Sequence, residues 1–504
     1  MRGTTTNCAA LPLAKIPRLA YDAYADALAR ELRGGGTLLG LLVDPESTQD
    51  GLHDLFAVVG GTDRHLAVFR TRIGSRFPSL TPRCPQCHLF EREIAEQHGL
   101  TPEGHPWLKP VRFHRLWSGE ADAWGRDAKA HPLVGDMAYF QVTGDEIHEV
   151  GVGPVHAGVI EPGHFRFQCY GEQVLHLEIS LGYQHRGIEP GLTEAPSPRA
   201  MARIETMAGD TTIGHALGHC RLIEGLAASS VPARAVALRA VALELERLAN
   251  HVGDIGALAG DVGFLPTASF CGRLRGDYLN MTAKICGSRF GRGLVRPGGV
   301  LFDVDQEMAA GLLATLSEVA DHTRGAIQLF FNAPSVLGRL ERTGTVARED
   351  AIALGLTGVA GRASGIDCDV RRLYPLGNEK KQAHPEILGR RGDVFARAQV
   401  RRQEIEASLA FIQANLADLP AGKIMAPVRK LAADSLAVSL VEGWRGRIAH
   451  LALTDHEGRF RRYKVIDPSF FNWSGLAMAL RNEQISDFPL CNKSFNLSYC
   501  GVDL

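Results

Sequence analysis

Apolar residues recur every three or four positions along much of the chain's second half. Between Arg234 and Leu258 they are Leu238, Val241, Leu245, Leu248, Val252 and Ile255. An α-helix completes a turn every 3.6 residues, so these side chains share one face, and the spacing predicts a helix with a buried face. Arg401–Leu419 has the same spacing, and we also expect helices over Asp305–Phe331 and Asp350–Leu354.

Shorter apolar or partly alternating runs predict β-strands. They are Thr37–Val43, Leu66–Ile73, Phe165–Phe167 and Leu175–Leu181. Near the C-terminus, His450–Leu453 and Arg461–Val465 flank a turn signal at residues 455–458, which is the pattern of a β-hairpin. An amphipathic helix is expected over Ala20–Leu32, because three glycines follow it and would end it.

These elements predict an α+β protein with two regions. Residues 15–115 form an N-terminal α/β module, and residues 116–148, rich in Gly and Asp, form a linker. Residues 149–504 form a mainly helical domain with small β-sheets. A chain of 504 residues is long enough for two or three domains with sizeable cores.

The composition narrows the functional classes. Apolar residues make up 45% and the formal net charge is −1, so binding to nucleic acid is not expected. No apolar run reaches the roughly 18–20 residues that a membrane-spanning helix needs. Residues 1–13 lack the apolar core of a secretory signal, so we expect a cytoplasmic protein that partners would hold at any membrane.

Ten cysteines are scattered along the chain, and in a long cytoplasmic protein disulfides are not the default. Cys84 and Cys87 form one C-x-x-C pair, which could be half of a zinc site. No second pair of that spacing follows nearby, so structural thiols are the favoured interpretation. The spacings do not fit an iron–sulfur cluster, which would have to belong to a partner. No G-x-G-x-x-G follows a predicted strand, so NADH is not expected to bind here.

A motif in the N-terminal module carries a family resemblance. Glu91-Arg92-Glu93 is followed by Gly99 and then by Gly104-His105-Pro106. This order resembles the signature of the complex I C subunit, the 30-kilodalton type, although Glu96 and His98 depart from the family residues. The resemblance implies a docking module without electron-transfer chemistry. Taken alone, Glu91-Arg92-Glu93 is typical of a solvated helix face.

The second region resembles the large subunit of nickel–iron hydrogenases and its relative, the complex I D subunit. The matching stretches are residues 153–158, 161–167 and 182–189, the Arg296-Pro297-Gly298-Gly299 block, and the stretch from Asp467 to Trp473. The last of these is similar to the group that contains formate hydrogenlyase. The resemblance covers about residues 85–504, and it implies a hydrogenase-large-subunit-like fold.

The chain departs from this family at the metal ligands. The family holds a nickel–iron centre with two C-x-x-C pairs, whose positions here carry Glu205 and Ala208, and Ser498 and Gly501. Cys500 lies one position out of register. Nickel and iron in such centres need soft thiolate ligands, so we expect no metal and no cofactor bound through side chains of this chain.

Complex I lost the same ligands, and there the cavity became a quinone site. The resemblance therefore implies a quinone-like acceptor, with His156, Glu161, His164, Arg203 and Thr206 as candidate binding residues. His156 matches the first histidine of the family's hairpin loop, and His164 or Glu161 could fill the place of the second. Thr206 stands where the family has a tyrosine, so the acidic phenol is missing.

Catalytic candidates are Glu205, Asp210, His215 and His156, with His219 as an alternative to His215. A carboxylate in an apolar pocket would have a raised pKa, which suits proton transfer. Glu205 could instead form an ion pair with Arg203 or Arg289, and each histidine could be a hydrogen-bonded core residue. A further hypothesis is that Glu244, Arg247 and His251, which share one helical stripe, form a buried polar network that fixes helix packing.

The resemblance implies a peripheral-arm subunit of an energy-converting respiratory complex on the cytoplasmic side of the inner membrane. Its partners would be an iron–sulfur small subunit of the complex I B type, and membrane proteins of the antiporter and complex I H-subunit types. Electrons would pass from the partner's cluster to a quinone-like acceptor with coupled proton movement. The alternatives are a catalytically silent coupling or scaffold subunit, and a hydrogenase with an atypical metal site.

Overall fold

The computed structural model describes residues 2–46, 50–61, 64–118, 121–127, 131–156, 160–193, 196–375 and 384–504. Its helices and strands lie in several small sheets and one large helical bundle, so the predicted α+β class is confirmed. In those ranges, no helix combines the length and the apolar character that crossing a bilayer requires.

The N-terminal region is a sheet covered by two helices. Its strands are β1 (Gly3–Thr5), β2 (Leu11–Pro12), β3 (Arg18–Leu19), β4 (Thr37–Val43), β5 (His53–Gly60), β6 (Leu66–Ile73), β7 (Arg76–Pro78) and β8 (Thr101–Glu103), and its helices are α1 (Tyr21–Arg33) and α2 (His88–His98). Strands β1, β6, β5 and β4 are neighbours in that order, and β3 pairs with β6. The strands predicted at Thr37–Val43 and Leu66–Ile73 and the helix predicted at Ala20–Leu32 are confirmed.

A second small sheet leads into the helical region. Its strands, β9 (Ile147–Val152), β10 (His164–Tyr170) and β11 (Gln173–Ser180), are antiparallel, with β10 in the centre. The loop between β9 and β10 carries the candidate site residues His156 and Glu161, and β10 begins at a third, His164. After this sheet come α3 (Pro198–Glu205) and α4 (Thr212–Leu226). Ser197 caps α3, where its Oγ accepts a hydrogen bond from the N–H of Ala200.

Four long helices form the bundle. The helices that follow are α5 (Ala233–Asp261), α6 (Leu265–Cys286), α7 (Gln306–Asn332), α8 (Pro334–Leu340), α9 (Arg348–Leu354), α10 (Gly358–Ala363), α11 (Val370–Leu373) and α12 (Val394–Ala417), with a short hairpin of β12 (Val295–Arg296) and β13 (Gly299–Val300) after α6. Helix α5 packs against α6 and α12, and its predicted apolar face is buried. The helices expected from spacing are therefore confirmed, although α12 begins before Arg401.

The C-terminal region closes the molecule with a third sheet. Strands β14 (Ser435–Glu442), β15 (Arg447–Thr454) and β16 (Phe460–Ile466) are followed by helices α13 (Pro468–Ala479) and α14 (Phe488–Phe495). The sheet order is β16-β15-β14-β2, so β2 from the N-terminus completes it. The predicted hairpin is β15 and β16, and α4 packs against β14 and β15.

The Glu91-Arg92-Glu93 motif is buried between the two regions. Glu91 accepts hydrogen bonds from the backbone N–H groups of Leu80 and Thr81, at 2.7 and 3.1 Å. Glu93 forms ion pairs with Arg112 and with Lys464 of β16. The interpretation as a solvated helix face is therefore wrong, because these carboxylates connect α2 to its own module and to the C-terminal sheet.

Candidate functional site

Glu205 ends α3 and is buried, but it does not lie among apolar groups. Its Oε1 accepts hydrogen bonds from the Gly293 N–H at 2.9 Å and from the Arg296 guanidinium at 2.6 Å. The predicted ion pair of Glu205 with Arg203 or Arg289 is wrong, because its partner is Arg296, in the hairpin after α6. The carboxylate is already neutralised by Arg296, and this fixes the end of α3 to that hairpin.

Arg203 and Thr206 are occupied by local contacts at the surface of α3. Arg203 is exposed and donates a hydrogen bond to the carbonyl of Gly191. The Thr206 hydroxyl donates to the carbonyl of Ala202 at 2.8 Å, one turn earlier in the helix. Their role in binding an acceptor stays a prediction. An acceptor would compete with these hydrogen bonds for the two side chains.

The C-terminal segment brings Ser498, Cys500 and Gly501 into the core. The Ser498 Oγ accepts a hydrogen bond from the Gly501 N–H at 2.9 Å, and Cys500 Sγ lies 3.5 Å from the same oxygen. A Cβ at Gly501 would lie 2.8 Å from the carboxyl carbon of Asp467, so only glycine fits this close approach. Burial raises the pKa of the Cys500 thiol to about 12, which keeps it protonated at neutral pH.

This donor set does not fit a nickel–iron centre. Ala208 and Gly501 have no ligating side-chain atom, and the Glu205 carboxylate is bound by Arg296. The Ser498 hydroxyl is already hydrogen-bonded and is a hard oxygen donor. Among the residues that the structure describes, no group of three or more His, Cys, Asp or Glu side chains could hold a metal ion.

The Cys84 and Cys87 thiols are buried and hydrogen-bonded to each other. That bond lowers the pKa of Cys84 and raises the pKa of Cys87 well above its usual value. Within the described ranges, the pair gains no third contact of the kind that a zinc site needs. Structural thiols therefore remain the favoured interpretation.

His215 and Asp467 form a buried pair beside the C-terminal segment. His215 Nε2 lies 3.0 Å from Asp467 Oδ2, and both side chains are fully buried. Burial alone would raise the pKa of Asp467, but His215, Arg445 and Ser469 together outweigh burial, and the pKa is lowered. Asp467 Oδ1 also caps α13 by accepting the Ser469 N–H at 2.8 Å. The carboxylate is therefore ionised and held rigidly.

Asp210 is fixed by Arg445 and joins the two former ligand segments. The guanidinium donates to both carboxylate oxygens, at 2.5 and 2.8 Å, and its Nε donates to the carbonyl of Asn496. Although burial works against it, the ion pair with Arg445 lowers the pKa of Asp210. Arg445 therefore connects the loop after α3 with the C-terminal segment. The same two segments meet where the Cys500 thiol contacts the backbone of Gly209.

The loop between β9 and β10 also reaches the C-terminal segment. Glu161 accepts the backbone N–H groups of Tyr499 and Cys500, at 3.2 and 3.4 Å. His164 Nδ1 lies 3.2 Å from the carbonyl of Gly153 across the loop, and His156 Nε2 is buried without a hydrogen-bond partner among the described residues. Residues 157–159, which include the last two residues of the first family motif, lie outside the described residues.

The predicted polar stripe on α5 is part of a larger buried cluster, here called the bundle network. Its members are Glu244, Arg247, His251, Arg362, Asp369, Arg371, Glu404 and Glu442. Arg247 Nε donates to Glu244 at 3.0 Å, and His251 Nε2 lies 2.8 Å from Glu404 on α12. The hypothesis of a network that ties helices together is confirmed.

Two cavities flank the site. One of about 410 Å³ lies between the N-terminal module and α13, and is lined by His88, Trp107 and Trp473. The other, of about 740 Å³ and here called the His219 cavity, is lined by His219, Arg296 and, among others, Lys430.

The structure thus brings Asp210, His215, Glu161 and the C-terminal segment together, whereas Glu205, Arg203 and Thr206 contact other groups. Two residues that complete the site, Asp467 and Arg445, were missed as functional candidates. Asp467 did stand in a recognised motif, and its place directly before Pro468 is the signal of a helix cap. Arg445 follows Trp444 in a turn, where nothing in the local pattern marks it.

Comparisons with known proteins agree with the motifs. A family model of the 30-kilodalton subunit of respiratory-chain NADH dehydrogenase matches residues 42–139, and one of the 49-kilodalton subunit matches residues 261–437. The chain is 30% identical over 351 residues to the carbon monoxide-induced hydrogenase of Rhodospirillum rubrum. This match covers 69% of this chain and 97% of that protein.

Two further relatives cover more of the chain. The C/D subunit of NADH-quinone oxidoreductase from Bacteroides thetaiotaomicron is 30% identical over 400 residues, covering 73% of this chain and 74% of that protein. Formate hydrogenlyase subunit 5 of Escherichia coli is 26% identical over 493 residues, covering 93% and 85%. The chain therefore belongs to the family of respiratory-complex subunits that unites the C- and D-type subunits of NADH-quinone oxidoreductase with the hydrogenase large subunits.

Proposed function

We propose that this chain is the peripheral subunit at which a membrane-bound respiratory complex reduces a quinone-like acceptor. The electron comes from an iron–sulfur cluster of a small partner subunit, and proton movement accompanies the reduction. The chain lies on the cytoplasmic side, held by partners of the antiporter and H-subunit types. The relatives named as NADH-quinone oxidoreductase subunits support the acceptor class.

One observation carries the proposal: the segments that hold thiolates in hydrogenases still meet, but acid–base groups now surround them. Asp467 lies against Gly501, and His215 donates to Asp467. Reduction of a quinone to a quinol takes up protons as well as electrons, so a fixed carboxylate–imidazole pair suits that chemistry. A site for hydrogen would need the soft ligands that Ala208 and Gly501 cannot supply.

The test is purification of the whole complex, followed by nickel analysis and by assays with hydrogen and with decylubiquinone. We expect no stoichiometric nickel and a measurable reduction of the quinone. Asp467→Asn should lower quinone reduction at least about 10²-fold, since it removes the charge that holds the His215 proton. Asp277→Asn on α6 is the matched control, since Asp277 is partly exposed and pairs with Arg273, and it should turn over like the wild type. Stoichiometric nickel together with hydrogen turnover would overturn the proposal.

A catalytically silent coupling subunit is the second candidate, because aromatic side chains fill space beside the former ligand positions. The rings of Trp473 and Tyr499 have their centroids 4.8 Å apart, and Trp473 Nε1 donates to the carbonyl of Ser498 at 3.2 Å. This candidate predicts a complex that needs the chain for assembly, yet in which Asp467→Asn changes no electron-transfer rate.

A further inference from the structure

A series of hydrogen-bonded side chains leads from Asp467 back through the core to the His219 cavity. Asp467 Oδ2 lies 3.0 Å from His215 Nε2, and His215 Nδ1 lies 3.3 Å from His450 Nε2. His450 Nδ1 and His219 Nδ1 each lie 2.8 Å from the hydroxyl of Tyr463. We call these five residues the His–Tyr chain; none is more than 2% exposed.

The proton positions along this chain follow from its charged end. Asp467 is a carboxylate, so His215 must donate through Nε2, and its Nδ1 is an acceptor when the ring is neutral. His450 must then donate through Nε2 and accept at Nδ1. That nitrogen takes the Tyr463 proton, and the phenol oxygen takes the proton of His219 Nδ1. Every member therefore donates in the same direction, towards Asp467.

His219, His450 and Tyr463 are neutral at physiological pH. Burial lowers the pKa of His219 to about 4, and burial with the neighbouring His215 and His219 holds that of His450 well below its usual value. Burial also raises the pKa of Tyr463 well above its usual value. A proton that enters such a chain meets no fixed charge among these members before it reaches Asp467.

The two ends face different surroundings. His219 lines the His219 cavity, whose lining includes the exposed side chains of Arg429, Lys430 and Arg459, so water reaches this end. At the other end, Asp467 lies against Gly501 in the former ligand segment. The His–Tyr chain thus connects solvent with the site proposed for acceptor reduction.

The helix that carries His215 and His219 is shaped to admit the third ring. A Cβ at Gly218 of α4 would lie 2.8 Å from Cδ2 and 3.1 Å from Nε2 of His450. Only glycine lets β15 approach α4 closely enough for His450 to reach both His215 and Tyr463.

We propose that the His–Tyr chain is a proton relay between the His219 cavity and Asp467. One proton binds His219 at Nε2 while the Nδ1 proton passes to Tyr463, the phenol proton to His450 and the His450 Nε2 proton to His215. His215 then releases its Nε2 proton through Asp467 to the reduced acceptor, so one proton enters and one leaves. Rotations of the hydroxyl and of the imidazole rings restore the starting arrangement. The destination of the proton, though not the relay itself, rests on the proposed function.

The test compares Tyr463→Phe with Tyr278→Phe in the assembled complex. Both tyrosines are fully buried and hydrogen-bonded, but Tyr278 pairs with Thr323 between α6 and α7. Tyr463→Phe should lower steady-state reduction of decylubiquinone about 10²-fold and increase its solvent deuterium isotope effect. Without the hydroxyl, the relay is interrupted between His219 and His450, and proton transfer becomes the slow step. Tyr278→Phe should change neither quantity. Should Tyr463→Phe fail to assemble, His219→Gln at the cavity end replaces it with the same expectations.

A second readout does not need turnover. Nitrogen-15 spectra of histidine-labelled complex, compared between wild type and His variants, should show protons on Nδ1 of His219 and on Nε2 of His450 and His215. Protons on the opposite nitrogens overturn the relay whatever the activity. The relay is also overturned if Tyr463→Phe turns over at the wild-type rate with an unchanged solvent isotope effect. A complex that reduces no quinone yet shows the expected protons refutes the proposed function and leaves the relay supported.

Discussion

Two buried polar clusters of this molecule, the bundle network and the His–Tyr chain, differ in how their charges are arranged. The bundle network contains three guanidinium groups and four carboxylates, linked across α5, α10, α12 and β14. The His–Tyr chain contains three imidazole rings and a phenol hydroxyl, with one carboxylate at its end. The comparison teaches that one core can use polar groups in two ways.

Ion pairs fix geometry, because each buried charge needs its partner in place. Arg371 alone contacts Asp369, Glu404 and Glu244, at 2.7, 2.7 and 3.2 Å. Neutral donors and acceptors hold each other more weakly, but their protons can exchange roles. The first cluster therefore suits rigid packing of helices, and the second suits transfer of protons.

The largest effect is expected for Arg371→Leu. It leaves three carboxylates without their shared cation, and loss of one partner from a buried ion pair costs about 3–5 kcal/mol. Denaturant unfolding of the chain measures this loss. Arg391→Leu is the matched control, since Arg391 pairs with Glu341 at the surface, where such pairs contribute about 0–1 kcal/mol. Equal losses in the two variants would show that the bundle network does not hold the helices.

Glu442→Gln tests the charge imbalance of the same network. Burial, with repulsion from Asp369, raises the pKa of Glu442 to about 7, although Arg362 opposes the shift. The folded state then holds this proton more tightly than the unfolded state. Its stabilisation is therefore complete below the ordinary pKa and is lost as the pH rises through about 7.

We expect the variant to match the wild type near pH 4 and to be more stable above pH 8 by about 3 kcal/mol. Unfolding free energies across this pH range measure the difference. A difference that does not change with pH would mean that all four carboxylates are ionised and that the network tolerates the excess charge.

Gly218→Ala should cost about 1–2 kcal/mol, because the new methyl group overpacks against the His450 ring. Gly272→Ala on α6 is the matched control: its Cβ would meet nothing within 4 Å, and alanine favours a helix over glycine by about 1 kcal/mol. The two substitutions should therefore shift the melting temperature in opposite directions. Two upward shifts would show that α4 and β15 can separate freely at this point.

The sequence predicted local features well, since they depend on neighbours along the chain. The apolar face of α5 and the stripe of Glu244, Arg247 and His251 follow from helical spacing alone. Partners far apart in sequence could not be predicted. The predicted partners of Glu205 were wrong, because its actual partner, Arg296, lies 91 residues later. Arg296 stands in a hairpin whose position depends on how α6 packs.

The candidate site was predicted only in part for the same reason. His215 was proposed from its position in the chain after the first former ligand pair, but its partner Asp467 is 252 residues away. The turn signal at residues 455–458 predicts the hairpin of β15 and β16. It does not predict that His450 and Tyr463 of this hairpin meet α4 at the two histidines.

A small effect on stability is expected for Tyr463→Phe, although this change should slow turnover about 10²-fold. The Tyr463 hydroxyl makes two neutral hydrogen bonds, each contributing about 0.5–1.5 kcal/mol net, and phenylalanine fills nearly the same volume, so a loss of about 1–2 kcal/mol is expected. Tyr278→Phe should cost a similar amount, since its hydroxyl also bonds within the core. Equal losses of stability with unequal losses of turnover would separate a relay from a packing element. Denaturant unfolding measures both losses. A loss of about 3 kcal/mol or more for Tyr463→Phe alone would mean that the two histidines depend on this hydroxyl for their positions. The contrast between the bundle network and the His–Tyr chain would then disappear.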